Sequence, residues 1–133
     1  MPTIYVSRQG NSLNLRLRDS EGNNPGNDQL TTLVDPGNAV TWELDPNANS
    51  PAQPGYFPIA SIQSVVKSNS ADPRYSNDVD VLTAPPAPVN GLWTGYVKLP
   101  SPGIGKFEHY QIYYYLPNDT TLHNDDPIMQ MNS

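Results

Sequence analysis

The chain reads as an all-β protein, one antiparallel β-sandwich domain over residues 1–133. Three observations predict it. Short runs that alternate apolar and polar residues with period two recur along the whole length. The 15 prolines and 9 glycines cluster between those runs, which is turn chemistry rather than disorder. No segment sustains the 3.6-residue apolar period of a long amphipathic helix.

The stretch Leu30–Leu44 organises the rest. Pro36 presets φ for the second position of a tight turn, and Gly37 supplies the positive φ that a type II turn needs next. Beyond the turn, Val40, Trp42 and Leu44 point one way while Thr41, Glu43 and Asp45 point the other. Before it, Thr3–Ser7 is a short strand. Leu13, Leu15 and Leu17 give the strand Ser12–Arg18 its inner face, and Asp19–Asp28 is a polar loop. Gln29–Val34 and Asn38–Asp45 flank the organising turn.

Pro46–Gly55 cannot pair continuously. Tyr56, Phe57 and Ile59 seal one end of the core. Ile59–Val66 is a strand, although Ile59, Ile62 and Val66 also fit one side of a short helix. Asp78–Thr83 reads as a short edge strand, with Asp78 and Asp80 guarding the edge by charge. Ala84–Pro88 is stiff and extended. Leu92–Leu99 carries Trp93, Gly95, Val97 and Leu99 on one side. Phe107–Leu116 is the longest strand, with Tyr110, Ile112, Tyr114 and Leu116 on one face and His109, Gln111, Tyr113 and Tyr115 on the other. Pro117–Asp126 is a polar loop, and Pro127–Met131 closes the sequence. The expected core is Val40, Trp42, Leu44, Trp93, Val97, Tyr110, Ile112, Tyr114, Met129 and Met131.

Composition narrows the function. A net charge of −6 argues against nucleic acid and anionic membranes as partners, since both need a cationic surface. The absence of cysteine removes disulfides, thiolate metal sites and thiol nucleophiles. Met1–Val6 has no basic segment followed by an apolar run, and no stretch approaches the roughly 18 apolar residues of a membrane span. A cytoplasmic location is the expectation.

Two segments resemble a known family. Leu33-Val34-Asp35-Pro36-Gly37-Asn38-Ala39-Val40-Thr41-Trp42 resembles the turn-to-central-strand segment of cupredoxin-like sandwiches. Gly105–Ile112, a loop, then Asp126-Pro127-Ile128-Met129-Gln130-Met131 resembles the closing hairpin of that fold. The ending is similar to copper-free variants among bacterial inclusion-body (AidA-type) proteins. The resemblance implies a Greek-key sandwich and a soluble, self-associating protein without assigned catalysis. A blue copper centre is excluded on residues, because it needs a cysteine thiolate beside two histidines. His123 is the one candidate near the family's second histidine, and Met129 and Met131 match core positions of the last strand rather than an axial ligand.

Little else in the sequence points to chemistry. His109 and His123 are the only imidazoles; His109 stands beside tyrosines on a strand, and His123 lies in a loop with Asp119, Asp125 and Asp126. Those three aspartates are the calcium candidates, although their spacing does not match the regular calcium-binding loop. Asn118-Asp119-Thr120 fits the glycosylation acceptor pattern, which has no consequence in a cytosolic setting. Glu43 and Glu108 are read as pointing outward, so no catalytic carboxylate pair is expected and no cofactor is called for.

The serious functional feature is aromatic. Tyr113 and Tyr115 share the face opposite the expected core, and Tyr96 extends their patch. Exposed tyrosines stack on sugar faces and also dominate protein interfaces. The expectation is a non-catalytic binding or self-associating protein, a homo-oligomer or one with a protein partner. The alternative is a carbohydrate-binding module, calcium-assisted or not.

Overall fold

The computed structural model describes residues 2–49, 56–68 and 72–133. They form eleven strands and two single turns of 3-10 helix, Pro46–Asn49 and Pro73–Tyr75. The strands are β1 (Thr3–Gln9), β2 (Leu15–Asp19), β3 (Thr31–Val34), β4 (Ala39–Leu44), β5 (Tyr56–Phe57) and β6 (Ser61–Lys67). After them come β7 (Ala87–Val89), β8 (Leu92–Tyr96), β9 (Phe107–Tyr115), β10 (His123–Asp125) and β11 (Ile128–Met131). No helix among the described residues is long and apolar enough to cross a membrane.

The strands make two sheets. The first runs β2-β1-β4-β8-β7, with β5 added to β1. The second is built on β9, which has β6 along one edge and β10 and β11 in succession along the other; β3 lies outside β11. Each sheet is mixed rather than antiparallel, because β1 runs parallel to β4 and β3 runs parallel to β11. That corrects the antiparallel expectation. Alternation within a strand reports which face is buried but carries no information on partner direction.

The organising turn forms as the residues require. Gly37 takes φ +80°, and the Asn38 N–H donates to the Asp35 carbonyl at 3.2 Å. The turn is also tied to β8's continuation, since the Gly37 N–H donates to the Val97 carbonyl at 3.1 Å.

The two sheets share one apolar core. Ile4, Val6, Leu15, Leu17, Val40 and Trp42 of the first sheet are buried together with Tyr110, Ile112, Tyr114, Met129 and Met131 of the second. Each fully buried aliphatic side chain contributes about 1.5–3 kcal/mol of transfer free energy. Eight of the ten expected core residues are buried, and Trp93 is partly buried against the same cluster.

Leu44 is the exception, at 46% exposure. On its β8 side, β4 has its last partner at Trp42, opposite Trp93, so Leu44 projects past the end of the neighbouring strand. There it lines an open hollow of ≈ 370 Å³ with Trp42, Trp93, Ile62 and Leu92.

Other element expectations also shift. Leu13 is 59% exposed, because β2 begins only at Leu15. Asp78–Thr83 is not a strand and makes one isolated bridge, Leu82 to Val97. Ile59 is buried as expected, whereas Phe57 is 41% exposed. Strand, not helix, is the outcome for Ser61–Lys67. The loop expected over Pro117–Asp126 contains β10, which pairs with Tyr114, Tyr113 and Ile112. Glu108, expected to face outward, is 4% exposed and accepts the Val81 N–H at 3.0 Å. It alternates in phase with Tyr110, so the pleat that buries the tyrosine buries the glutamate too. Residues 50–55 of the loop expected over Pro46–Gly55, and residues 69–71 of the polar stretch after β6, lie outside the described residues.

Candidate functional site

The outer face of the second sheet carries the side chains that the core does not use. Along β9 the buried positions Glu108, Tyr110, Ile112 and Tyr114 alternate with half-exposed Phe107, His109, Gln111, Tyr113 and Tyr115. The half-exposed set stands on one face because β9 alternates without a break; the one register shift beside it lies in β6, between Ile62 and Ser64. Tyr113 is the centre of a cross-strand row, with Ser64 of β6 on one side and Asn124 of β10 on the other. Its hydroxyl donates to Gln111 Oε1 at 2.9 Å, which fixes the ring's tilt.

Tyr96 does not join this row. It belongs to β8 in the other sheet, 51% exposed, opposite Ala39 on the outward side of β4. The two sheets lie back to back across the core, so Tyr96 and the Tyr113–Tyr115 pair point to opposite sides of the protein. The expected three-tyrosine patch is therefore two tyrosines.

At the other end of the face stands His109. Its ring packs on Tyr75 with centroids 4.8 Å apart and meets Phe107 edge-on at 5.9 Å. Nδ1 lies 2.9 and 3.1 Å from the two carboxylate oxygens of Asp78, whose side chain is 4% exposed. The same carboxylate accepts the His109 backbone N–H at 2.7 Å. A neutral His109 therefore holds its proton on Nδ1 and leaves Nε2 as an acceptor. Nε2 has no partner among the described residues.

Tyr75 is held over this ring by its hydroxyl, which donates to Asp126. Burial, with that hydrogen bond second, pushes the Tyr75 hydroxyl up to about 12. Beside His109 lies a polar hollow of ≈ 210 Å³, lined also by Asp28, Gln29, Thr31, Asp126 and Ile128.

The calcium candidates are placed apart in function. Asp119 accepts from His123 Nε2 at 3.0 Å and from the Thr121 N–H at 2.8 Å. The histidine contact holds its carboxyl below the usual range. Asp125 accepts the Leu15 N–H at 2.8 Å and is pushed up to about 7, by burial first and then by Asp28. Asp126 is engaged by Tyr75. Among the described residues no three His, Cys, Asp or Glu side chains converge on a metal position.

Both histidines are thus paired with carboxylates, an arrangement the sequence did not reveal. A hydrolytic triad needs a hydroxyl nucleophile on the far side of the imidazole. Among the described residues neither ring has one within hydrogen-bond reach. The Asp78–His109 pairing spans 31 residues and joins two segments with no shared motif, so no spacing signal could have found it. Asp78, expected to guard an edge, is instead the partner that orients a ring.

No protein-family model and no curated protein sequence matches the chain.

Proposed function

We propose that this is a non-catalytic binding protein that works through the tyrosine face of β9, and that its ligand is a carbohydrate. One observation carries the reading: the row Ser64–Tyr113–Asn124, with Tyr115 and Gln111 beside it on the same face. An aromatic ring takes the apolar face of a sugar, while flanking hydroxyl and amide groups both donate to and accept from its hydroxyls. The acidic balance of the chain favours a neutral ligand over a polyanion.

The test is calorimetric titration with a panel of neutral oligosaccharides, with and without calcium, on wild type and on Tyr113→Ser/Tyr115→Ser. Binding that falls at least tenfold in the double variant, with thermal melting unchanged, supports the reading. A folded wild type that binds no glycan in either condition sinks it.

A second reading is self-association through the same face. Leu33 of β3, 40% exposed, and half-buried Ile128 of β11 add apolar area to the outer side of the sheet. Light scattering separates the two: a wild-type dimer that the double substitution returns to monomer favours an interface between copies. A Greek-key, cupredoxin-like topology and a cytoplasmic setting belong to the same proposal. Two mixed sheets facing across one core, with β1 parallel to β4 and β11 parallel to β3, support the topology.

A further inference from the structure

We infer that the hollow beside His109 is the subsite for the end of a sugar chain lying along β9, and that it selects ends rich in hydrogen-bond donors and rejects anionic ones. The inference rests on the tyrosine face being a carbohydrate-binding surface.

Tyr115, Tyr113, Gln111 and His109 stand in one line on one face, spanning about 20 Å along the strand. A flat row of this kind contacts a chain along its length but does not count its residues. At the His109 end the surface drops into the ≈ 210 Å³ hollow, a space on the scale of a single sugar ring.

The lining of that hollow is unequal in hydrogen-bonding sense. Asp28 and Asp126 bring acceptor-only carboxylates and His109 brings Nε2, which has no partner among the described residues; the Gln29 amide and the Thr31 hydroxyl supply donors. No Lys or Arg among the described residues lines it. A ligand that satisfies this set brings several O–H or N–H groups and no negative charge. Sugar hydroxyls and the ammonium of an amino sugar share that property, whereas a uronic acid would place its carboxylate against Asp28 and Asp126.

The lining is also pre-oriented. His109 is held between Tyr75 and Phe107, its tautomer is set by the nine-tenths-buried Asp78, and Asp126 is aimed by Tyr75. Fixed acceptors discriminate between ligands because they do not turn to suit a poor one.

The experiment uses oligosaccharides with one common core and a terminal glucose, glucosamine or glucuronic acid, titrated into the full chain. Wild type is expected to bind the glucose- and glucosamine-ended forms at least tenfold tighter than the glucuronate form. His109→Phe keeps the ring stack but removes Nε2, and Thr31→Arg fills the hollow without touching Asp78. Each is expected to abolish the preference while leaving binding of the common core, which still depends on Tyr113 and Tyr115. Equal affinities of wild type for the three ends overturn the inference, as does a preference that survives in both variants. If that happens while Tyr113→Ser/Tyr115→Ser still abolishes binding, the tyrosine-face reading stands and the subsite alone falls. If wild type binds none of the three, both fall. Calcium chloride added without sugar, shifting the NMR signals of Asp28 and Asp126, would make the hollow a cation site and overturn the inference as well.

Discussion

Trp42 of the first sheet and Tyr110 of the second meet edge to face, with ring centroids 5.3 Å apart and ring planes at 70°. Both are fully buried, and this contact pins one sheet to the other at the centre of the core. Trp42→Ala is expected to cost about 3–5 kcal/mol, while Leu44→Ala, at the open end, is expected to cost less than about 1 kcal/mol. Urea unfolding of the two variants checks the contrast. Equal losses would mean that Leu44 is buried in solution.

Arg18 and Asp45 form a bidentate ion pair at 2.7 and 2.9 Å, with the Asp45 side chain fully buried and the Arg18 side chain 22% exposed. The Arg18 guanidinium also lies over the Tyr5 ring, 4.1 Å from its centroid. Arg18→Ala strands a buried carboxylate with the Asn47 N–H as its one other partner among the described residues, and is expected to cost about 3 kcal/mol. Arg18→Lys is expected to recover little, because an ammonium reproduces neither the fork nor the stack. Full recovery in the lysine variant, measured by denaturant unfolding, would refute the geometric argument.

Asp125 gives stability a pH dependence opposite to ordinary acid denaturation. Its carboxyl, ordinarily at about 3.9, is pushed up to about 7 by burial and by Asp28. The fold therefore holds more protons than the unfolded chain between those values, and stability falls as pH rises from about 4 to about 7. Buried Glu108 is shifted the same way, chiefly by burial. Asp125→Asn is expected to flatten the fall without erasing it, as read by melting temperature between pH 4 and pH 8. An unchanged slope in the variant would show that Asp125 does not carry the effect.

Gly95 of β8 is required for space rather than for backbone freedom. A Cβ there would sit 2.8 Å from Leu82 Cδ1 and 3.5 Å from Pro86 Cγ. Gly95→Ala is expected to destabilise by about 1–3 kcal/mol through overpacking. Pairing it with Leu82→Ala, which removes the obstructing methyl, is expected to cost less than the sum of the two single changes, as measured by urea unfolding of all three variants.

Much of the fold is legible from local pattern. The Pro36–Gly37 turn, the inward placing of Val40 and Trp42 in β4 and the alternation of β9 from His109 onward each follow from neighbouring residues and form as read, whereas at the end of β4 Leu44 is exposed and Asp45 buried. The misplaced residues have non-local causes. Leu44 is uncovered because β8 begins where it does, and Glu108 is tolerated inside because the Val81 N–H comes to meet it. Local pattern groups Tyr96 with Tyr113 and Tyr115 because all three are aromatic strand residues. Which sheet a strand joins is decided by long-range pairing, and that separates them.

The sequence by itself determined that the chain is all β, where its main turns fall, and which face of each long strand is apolar. Those properties come from φ/ψ preferences and a two-residue period, both written in adjacent residues. Tertiary structure alone decided the parallel pairings of β1 with β4 and of β3 with β11, the covering of His109 by Tyr75, and the ion-pair-like contact of Asp78 with His109. Those contacts join residues tens of positions apart. They form because burying one shared core fixes which strands lie side by side, and no local preference encodes that choice.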